Sequence, residues 1–138
     1  MAPSMTSAAT EVVTMMRPDL RGFMCFAAAL INEPAIGVAY MASKAGAAHL
    51  MRNVAIELAK YNILVNAIAP GPFVTNIGGG HVHTKEVQEG FSKVVPLHRV
   101  ASTEEMKGLA LFLASPASSF VTGSQIVIDG GMQVGVAD

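Results

Sequence analysis

The chain has no tryptophan, a single cysteine, two tyrosines and only 14% charged residues over 138 positions. Each scarcity excludes something. With Cys25 alone, neither an intramolecular disulfide nor a cysteine-based metal site can form, and the thiol reads as a small buried hydrophobe. Nine basic residues against ten acidic ones leave a net charge of −1, without the basic footprint that a nucleic-acid partner requires. Long apolar runs are missing too. The longest, Phe23 to Ile31, is nine residues, whereas a membrane-spanning helix needs about 20. At the N-terminus no basic stretch leads into an apolar one and Glu11 interrupts the region, so no secretory signal is read and the cytoplasm is expected.

What is present is apolar. Hydrophobic residues make up 51% of the chain and the mean hydropathy is +0.46. Such a composition excludes intrinsic disorder, because enough surface can be buried to offset the ordering entropy. The length suits one domain. So little charge is unusual for a freely soluble surface. It implies surface that meets other subunits or further structure, and a homo-oligomer is expected.

Residues 1–7 are small and polar. Val12, Val13, Met15 and Met16 predict a short helix from Ala8 to Met16, closed by Pro18. The uninterrupted run Phe23 to Ile31, between Gly22 and Pro34, predicts a buried strand. From Ile36 to Lys60, Ala47, Leu50, Met51, Val54, Leu58 and Ala59 recur at helical steps in an alanine-rich, proline-free stretch. Ile63 to Ala69 predicts a second buried strand, ended by Pro70-Gly71-Pro72. A loop at Gly78-Gly79-Gly80 leads to His81 and His83, and a short helix is expected from Glu86 to Val95. Ser102 with Glu105 forms a capping-box pattern opening a helix to about Leu113. Gln125 to Asp129 predicts the last strand, broken by Gly130-Gly131. Strands alternating with helices predict an α/β layered fold with about three parallel strands and flanking helices. The chain reads as one domain, 1–138, divided into segments 1–21, 22–75, 76–100 and 101–138.

The chemistry gathers at Tyr40 and Lys44, four residues apart near the start of the long helix and therefore on one face. An ammonium beside a phenol favours the phenolate, and a phenol so tuned is a general acid or base for a carbonyl or alcohol. The surroundings add order. Tyr40-Met41-Ala42-Ser43-Lys44-Ala45-Gly46 is followed by Ile63-Leu64-Val65-Asn66-Ala67-Ile68-Ala69-Pro70-Gly71, then by Thr75. Thr122-Gly123 then precede Ile126-Val127-Ile128-Asp129-Gly130-Gly131. Four motifs in this order over residues 36–131 resemble the C-terminal half of the short-chain dehydrogenase/reductase family.

That resemblance implies a Rossmann-like fold and an NAD- or NADP-dependent oxidoreductase acting on a small-molecule carbonyl or alcohol. It makes Tyr40 the acid/base at the substrate oxygen. Lys44 becomes the group that lowers the tyrosine's pKa and holds the nicotinamide ribose. Pro70, Gly71, backbone around Phe73, and the Thr75 hydroxyl would hold the nicotinamide carboxamide and nearby phosphate. Gly78 to Val95 corresponds to the substrate lid. The Asp129-Gly130-Gly131 strand corresponds to one that packs on a partner subunit.

The pattern departs from the family in two places. The N-terminal strand and glycine-rich pyrophosphate loop have no counterpart, since Gly22 and Gly37 are the only glycines before Tyr40. The chain therefore reads as the second half of such a domain, with the edge of the 23–31 strand left open. Thirteen residues before Tyr40, where the family places a catalytic serine, stands Ala27. Two other functions stay open: a non-catalytic oligomer that keeps the interfaces alone, or a cofactor-free hydrolase or lyase that reuses Tyr40 with His81, His83 or His98. His81 and His83 with Glu86 lack a further ligand, so no metal is expected. His49 and His98 read as structural or solvated, and Asn66 as a partner for strand-end backbone.

Overall fold

Ile63–Pro70 (β3) is apolar along its whole length apart from Asn66. A strand of that kind is stable only where both of its faces are covered. The computed structural model describes residues 12–13, 21–26, 38–75 and 84–135, with side chains described from residue 38 onward. In it, β3 is an inner strand of the sheet. It pairs in parallel with Arg21–Phe26 (β2) on one side and Gln125–Ile128 (β4) on the other, so that Phe26, Ile68 and Ile126 lie in register.

The three parallel strands agree with the α/β fold predicted from the sequence. A fourth strand does not. Val12–Val13 (β1) pairs antiparallel with β2 opposite Cys25 and Met24, giving the order β1-β2-β3-β4. These two residues lie where a helix from Ala8 to Met16 is predicted. Adjacent β-branched valines suit extended backbone, and their pairing covers part of the β2 edge that the sequence leaves open. The rest of that predicted helix, and residues 27–31 of the predicted strand, lie outside the described residues.

Helices cover both faces of the sheet. Val38–Ala59 (α1) lies on one face, where Met51 and Ala55 pack with Val65 and Ala67 of β3. Glu104–Leu113 (α3) lies on the other, where Leu113 meets Ile68, flanked by Met106, Leu109 and Ile126. Residues alternate along β3, and Val65, Ile68 and their neighbours are fully enclosed. Burying one such side chain stabilises the fold by roughly 1.5–3 kcal/mol.

The buried stripe of α1 is Lys44, Ala48, Met51 and Ala55. The predicted stripe agrees at Met51, with Ala47, Val54 and Leu58 at its margin, but Leu50 is 63% exposed and Ala59 also faces out. The reason is that α1 carries apolar residues on every side, so periodicity alone cannot choose a face. Small Ala48 and Ala55 are chosen because they let the helix approach the sheet closely. Past Ala59 the chain turns at Asn62, whose φ of 58° ends the helix in the left-handed region.

Lys85–Ser92 (α2) is three residues shorter at its end than the predicted Glu86 to Val95, and Val95 instead becomes a buried anchor. At α3, Thr103 holds the cap position without a side-chain capping bond. Only the glutamate half of the predicted box forms: the Ser102 N–H donates to Glu105 Oε2 at 2.9 Å. β4 ends at Ile128, one residue short of the predicted strand. Asp129 starts a turn, its carboxylate accepting the Gly131 and Gln133 N–H groups at 2.8 and 2.9 Å. No helix among the described residues is long and apolar enough to cross a membrane.

Candidate functional site

β2 and β3 run in parallel, so α1 must return the chain from the carboxyl end of β2 to the amino end of β3. Its first two turns therefore stand at the carboxyl edge of the sheet. The loop after Pro70 leaves from the same edge. In open α/β sheets this edge is where ligands bind. Tyr40 and Lys44 thus share an edge with Gly71, Phe73 and Thr75.

Tyr40 is half-buried and Lys44 is buried, 7% exposed. A buried ammonium needs compensation, and Lys44 Nζ lies over the Tyr40 ring, 5.4 Å from its centroid. The electron-rich ring face offers part of that compensation. The helical spacing predicted for this pair is realised as direct contact.

The loop from Pro70 to Thr75 is held from two sides. The Gly71 N–H donates to the Ile128 carbonyl at 3.0 Å, continuing the β3–β4 ladder by one bond. Gly71 also lies so near Asp129 that a Cβ there would stand 2.7 Å from both its Cα and its Cβ. Backbone cannot yield at that distance as a flexible side chain would. Gly71→Ala is therefore expected to lower stability by about 1–3 kcal/mol, read as a shift in the urea midpoint at unchanged m-value.

Phe73 is 8% exposed and forms an isolated parallel bridge with Ala101. Ala101 supplies both bonds: its N–H donates to the Pro72 carbonyl at 3.1 Å and its carbonyl accepts the Val74 N–H at 2.9 Å. Backbone groups alternate in direction along an extended segment. The N–H and C=O of Phe73 itself therefore point away from Ala101, side by side. Such a pair matches a primary carboxamide, which offers one acceptor and a pair of donors. Thr75, two residues on, is partly exposed.

Asn66 is 4% exposed and reaches the segment before β4, as the sequence reading assigns. Its Nδ2 donates to the Val121 carbonyl at 2.8 Å, and its Oδ1 accepts the Ser124 N–H at 3.1 Å. Thr122-Gly123 completes the join: Thr122 Oγ1 accepts the Val65 N–H at 3.0 Å, and the Gly123 N–H donates to the Val65 carbonyl at 2.7 Å. These motif residues act on the sheet, bringing β4 and its terminal turn to the site edge.

Sequence reasoning missed one group. Arg99 forks onto Glu105 with bonds of 2.8 and 2.7 Å. The Arg99 hydrogen bonds, then the Ser102 N–H, hold the Glu105 carboxyl down at about 2. Both line a cleft of about 200 Å³ with Phe73, Val95, Ile128 and Asp129. Sequence distance hides the link between residue 101 and residue 73, because no local pattern marks a single non-local bridge. His49 and His98 are exposed, and His98 adopts a φ of 52°. Ala27, His81 and His83 lie outside the described residues. Among the described residues, no group of three or more His, Cys, Asp or Glu side chains is placed to hold a metal ion.

Known proteins share this fold. The sequence model of the family described as enoyl-(acyl carrier protein) reductase matches residues 2–133. D-arabinitol 2-dehydrogenase (ribulose-forming) of Scheffersomyces stipitis is 41% identical over 109 residues, covering 75% of this chain and 38% of that protein. Gluconate 5-dehydrogenase from Burkholderia cenocepacia J2315, solved with NADP and tartrate, superposes with a TM-score of 0.74 at 30% identity. That match covers 83% of this chain and 46% of the other. A 4-hydroxyisoleucine dehydrogenase complexed with NADH superposes with a TM-score of 0.73 at 30% identity, over 83% and 47% of the two chains. The chain thus spans less than half the length of these relatives. Its motifs, its parallel sheet and these matches place it in the short-chain dehydrogenase/reductase family.

Proposed function

We propose that this chain carries the acid–base and nicotinamide-side half of an NAD- or NADP-dependent oxidoreductase acting on a small carbonyl or alcohol. The observation that carries the reading is the buried Lys44 ammonium set against Tyr40 at the carboxyl edge of the sheet. Tyr40 Oη gives a proton to the substrate oxygen in reduction and takes it back in oxidation. Lys44 sets its ammonium over the phenol ring, and that ammonium holds the nicotinamide ribose hydroxyls. The outward N–H and C=O of Phe73 hold the carboxamide, and the Thr75 hydroxyl holds the adjacent phosphate. Pro70 and Gly71 set the path of that loop. When bound, the dinucleotide supplies or accepts the hydride.

Binding at several remote points orients a reacting ring more effectively than contact at the reacting atom alone. The proposed unit works as a homo-oligomer in the cytoplasm. Its support is the exposed apolar surface, including Leu50 and Ile56 of α1 and Val127 of β4. Titration of the 138-residue chain with NADH and with NADPH, followed by fluorescence or calorimetry, tests the reading. Saturable but weak binding by either cofactor is expected, because no glycine-rich pyrophosphate loop precedes Tyr40. No binding at millimolar concentration of both overturns it.

A further inference from the structure

The Phe73 peptide is held by a strap from elsewhere in the chain. Residues 97–102 pass beyond the ends of β3 and β4 and bond to the loop that follows one and the turn that follows the other. The Leu97 N–H donates to the Gly130 carbonyl at 3.2 Å, and Ala101 makes its two bonds to Pro72 and Val74. A bridge of one residue pair is weak by itself, as short extended pairings are. Part of the surface beside Phe73 is the cleft of about 200 Å³, so packed side chains do not back the loop throughout.

Glu105 ties the strap down. Its Oε2 and Oε1 accept from the two terminal nitrogens of Arg99, and Oε2 also accepts the Ser102 N–H. Anchors therefore stand two residues before Ala101 and one residue after it. Both lead to the first turn of α3, a helix seated on the sheet through Met106, Leu109 and Leu113. Exposed ion pairs usually contribute little, but a bidentate fork with a third bond at fixed backbone restricts geometry as well. We infer that Arg99 and Glu105 are positioning residues: they clamp the strap against the loop and so fix the direction of the Phe73 N–H and C=O. The consequence for cofactor binding rests on the function proposed above, whereas the clamp itself does not.

Amide hydrogen exchange on the full 138-residue chain, without ligand, tests the clamp. The reporters are the Val74 and Ala101 N–H groups. The controls are those of Ala67 and Gly123, which bond to the Ser124 and Val65 carbonyls. In Arg99→Ala and Glu105→Ala, the reporters are expected to exchange roughly three- to tenfold faster while the controls keep their rates. Arg99→Lys keeps the charge without the fork and should fall between. The double variant should be no faster than Glu105→Ala alone, which already removes both the fork and the Ser102 bond. Unchanged reporters overturn the inference, and so does equal acceleration at all four amides, the mark of a general loss of stability. In parallel, NADH affinity is expected to fall by a factor similar to the reporter acceleration. Altered exchange with unaltered NADH affinity removes the positioning role. If the parent chain binds no NADH, the proposed function fails while the exchange rates still decide the clamp.

Discussion

Tyr40→Phe is expected to slow carbonyl reduction by about 10²- to 10⁴-fold, the range typical for loss of a positioned general acid. The substitution removes one oxygen and keeps the ring on which Lys44 Nζ rests. Stability should therefore barely move, and the loss should fall on turnover. Measured with NADH or NADPH over a panel of small ketones and aldehydes, kcat should collapse while cofactor affinity stays within a few-fold. A variant that keeps a tenth or more of the parent's kcat removes Tyr40 from the acid–base role. Lys44→Met sharpens the result, because it removes the ammonium over the ring while leaving the hydroxyl in place. Its loss should include weaker NADH or NADPH binding, because the ammonium is the group proposed to hold the nicotinamide ribose. The loss in Tyr40→Phe should fall on kcat alone.

How much of this was legible beforehand depends on the length of each signal. The Tyr40–Lys44 pair was visible because the two are four residues apart, and helical geometry alone makes them neighbours. β3 was visible as an apolar run closed by Pro70-Gly71-Pro72, and so was the role of Asn66, a lone amide in a strand buried on both faces. The face of α1 was not. Leu50 is as apolar as Met51, yet the sheet takes Met51, because the small Ala48 and Ala55 on either side allow close approach. The β1 strand was hidden for a related reason: two valines carry too short a pattern to separate extended from helical backbone. The Arg99–Glu105 clamp was hidden differently. Glu105 was visible as a capping glutamate, and it does accept the Ser102 N–H, but its larger commitment is to Arg99. That pairing matters only because Ala101 lies beside Phe73, a fact of tertiary structure with no local trace.

The second large effect is expected at Asn66. Truncation to alanine deprives the Val121 carbonyl and the Ser124 N–H of their partner at once. Each unpaired, partly buried backbone group costs about 1–3 kcal/mol, so Asn66→Ala should lose about 2–6 kcal/mol of a stability of order 5–15 kcal/mol. Chemical denaturation reads the change, and a loss below about 1 kcal/mol would show that water replaces the amide without penalty. Asn66→Asp separates the two bonds. It keeps an acceptor for the Ser124 N–H, cannot donate to Val121 while ionised, and brings a charge into a site only 4% exposed. It should therefore do no better than alanine at neutral pH. The effect should also travel. The segment Asn66 fastens leads directly into β4, and the Ile128 carbonyl at the end of β4 accepts the Gly71 N–H at the start of the loop carrying Phe73 and Thr75. Loosening β4 at its beginning releases one side of that loop at its end. Exchange of the Gly71 amide should accelerate in Asn66→Ala, although Asn66 bonds to Val121 and Ser124 and Gly71 to Ile128.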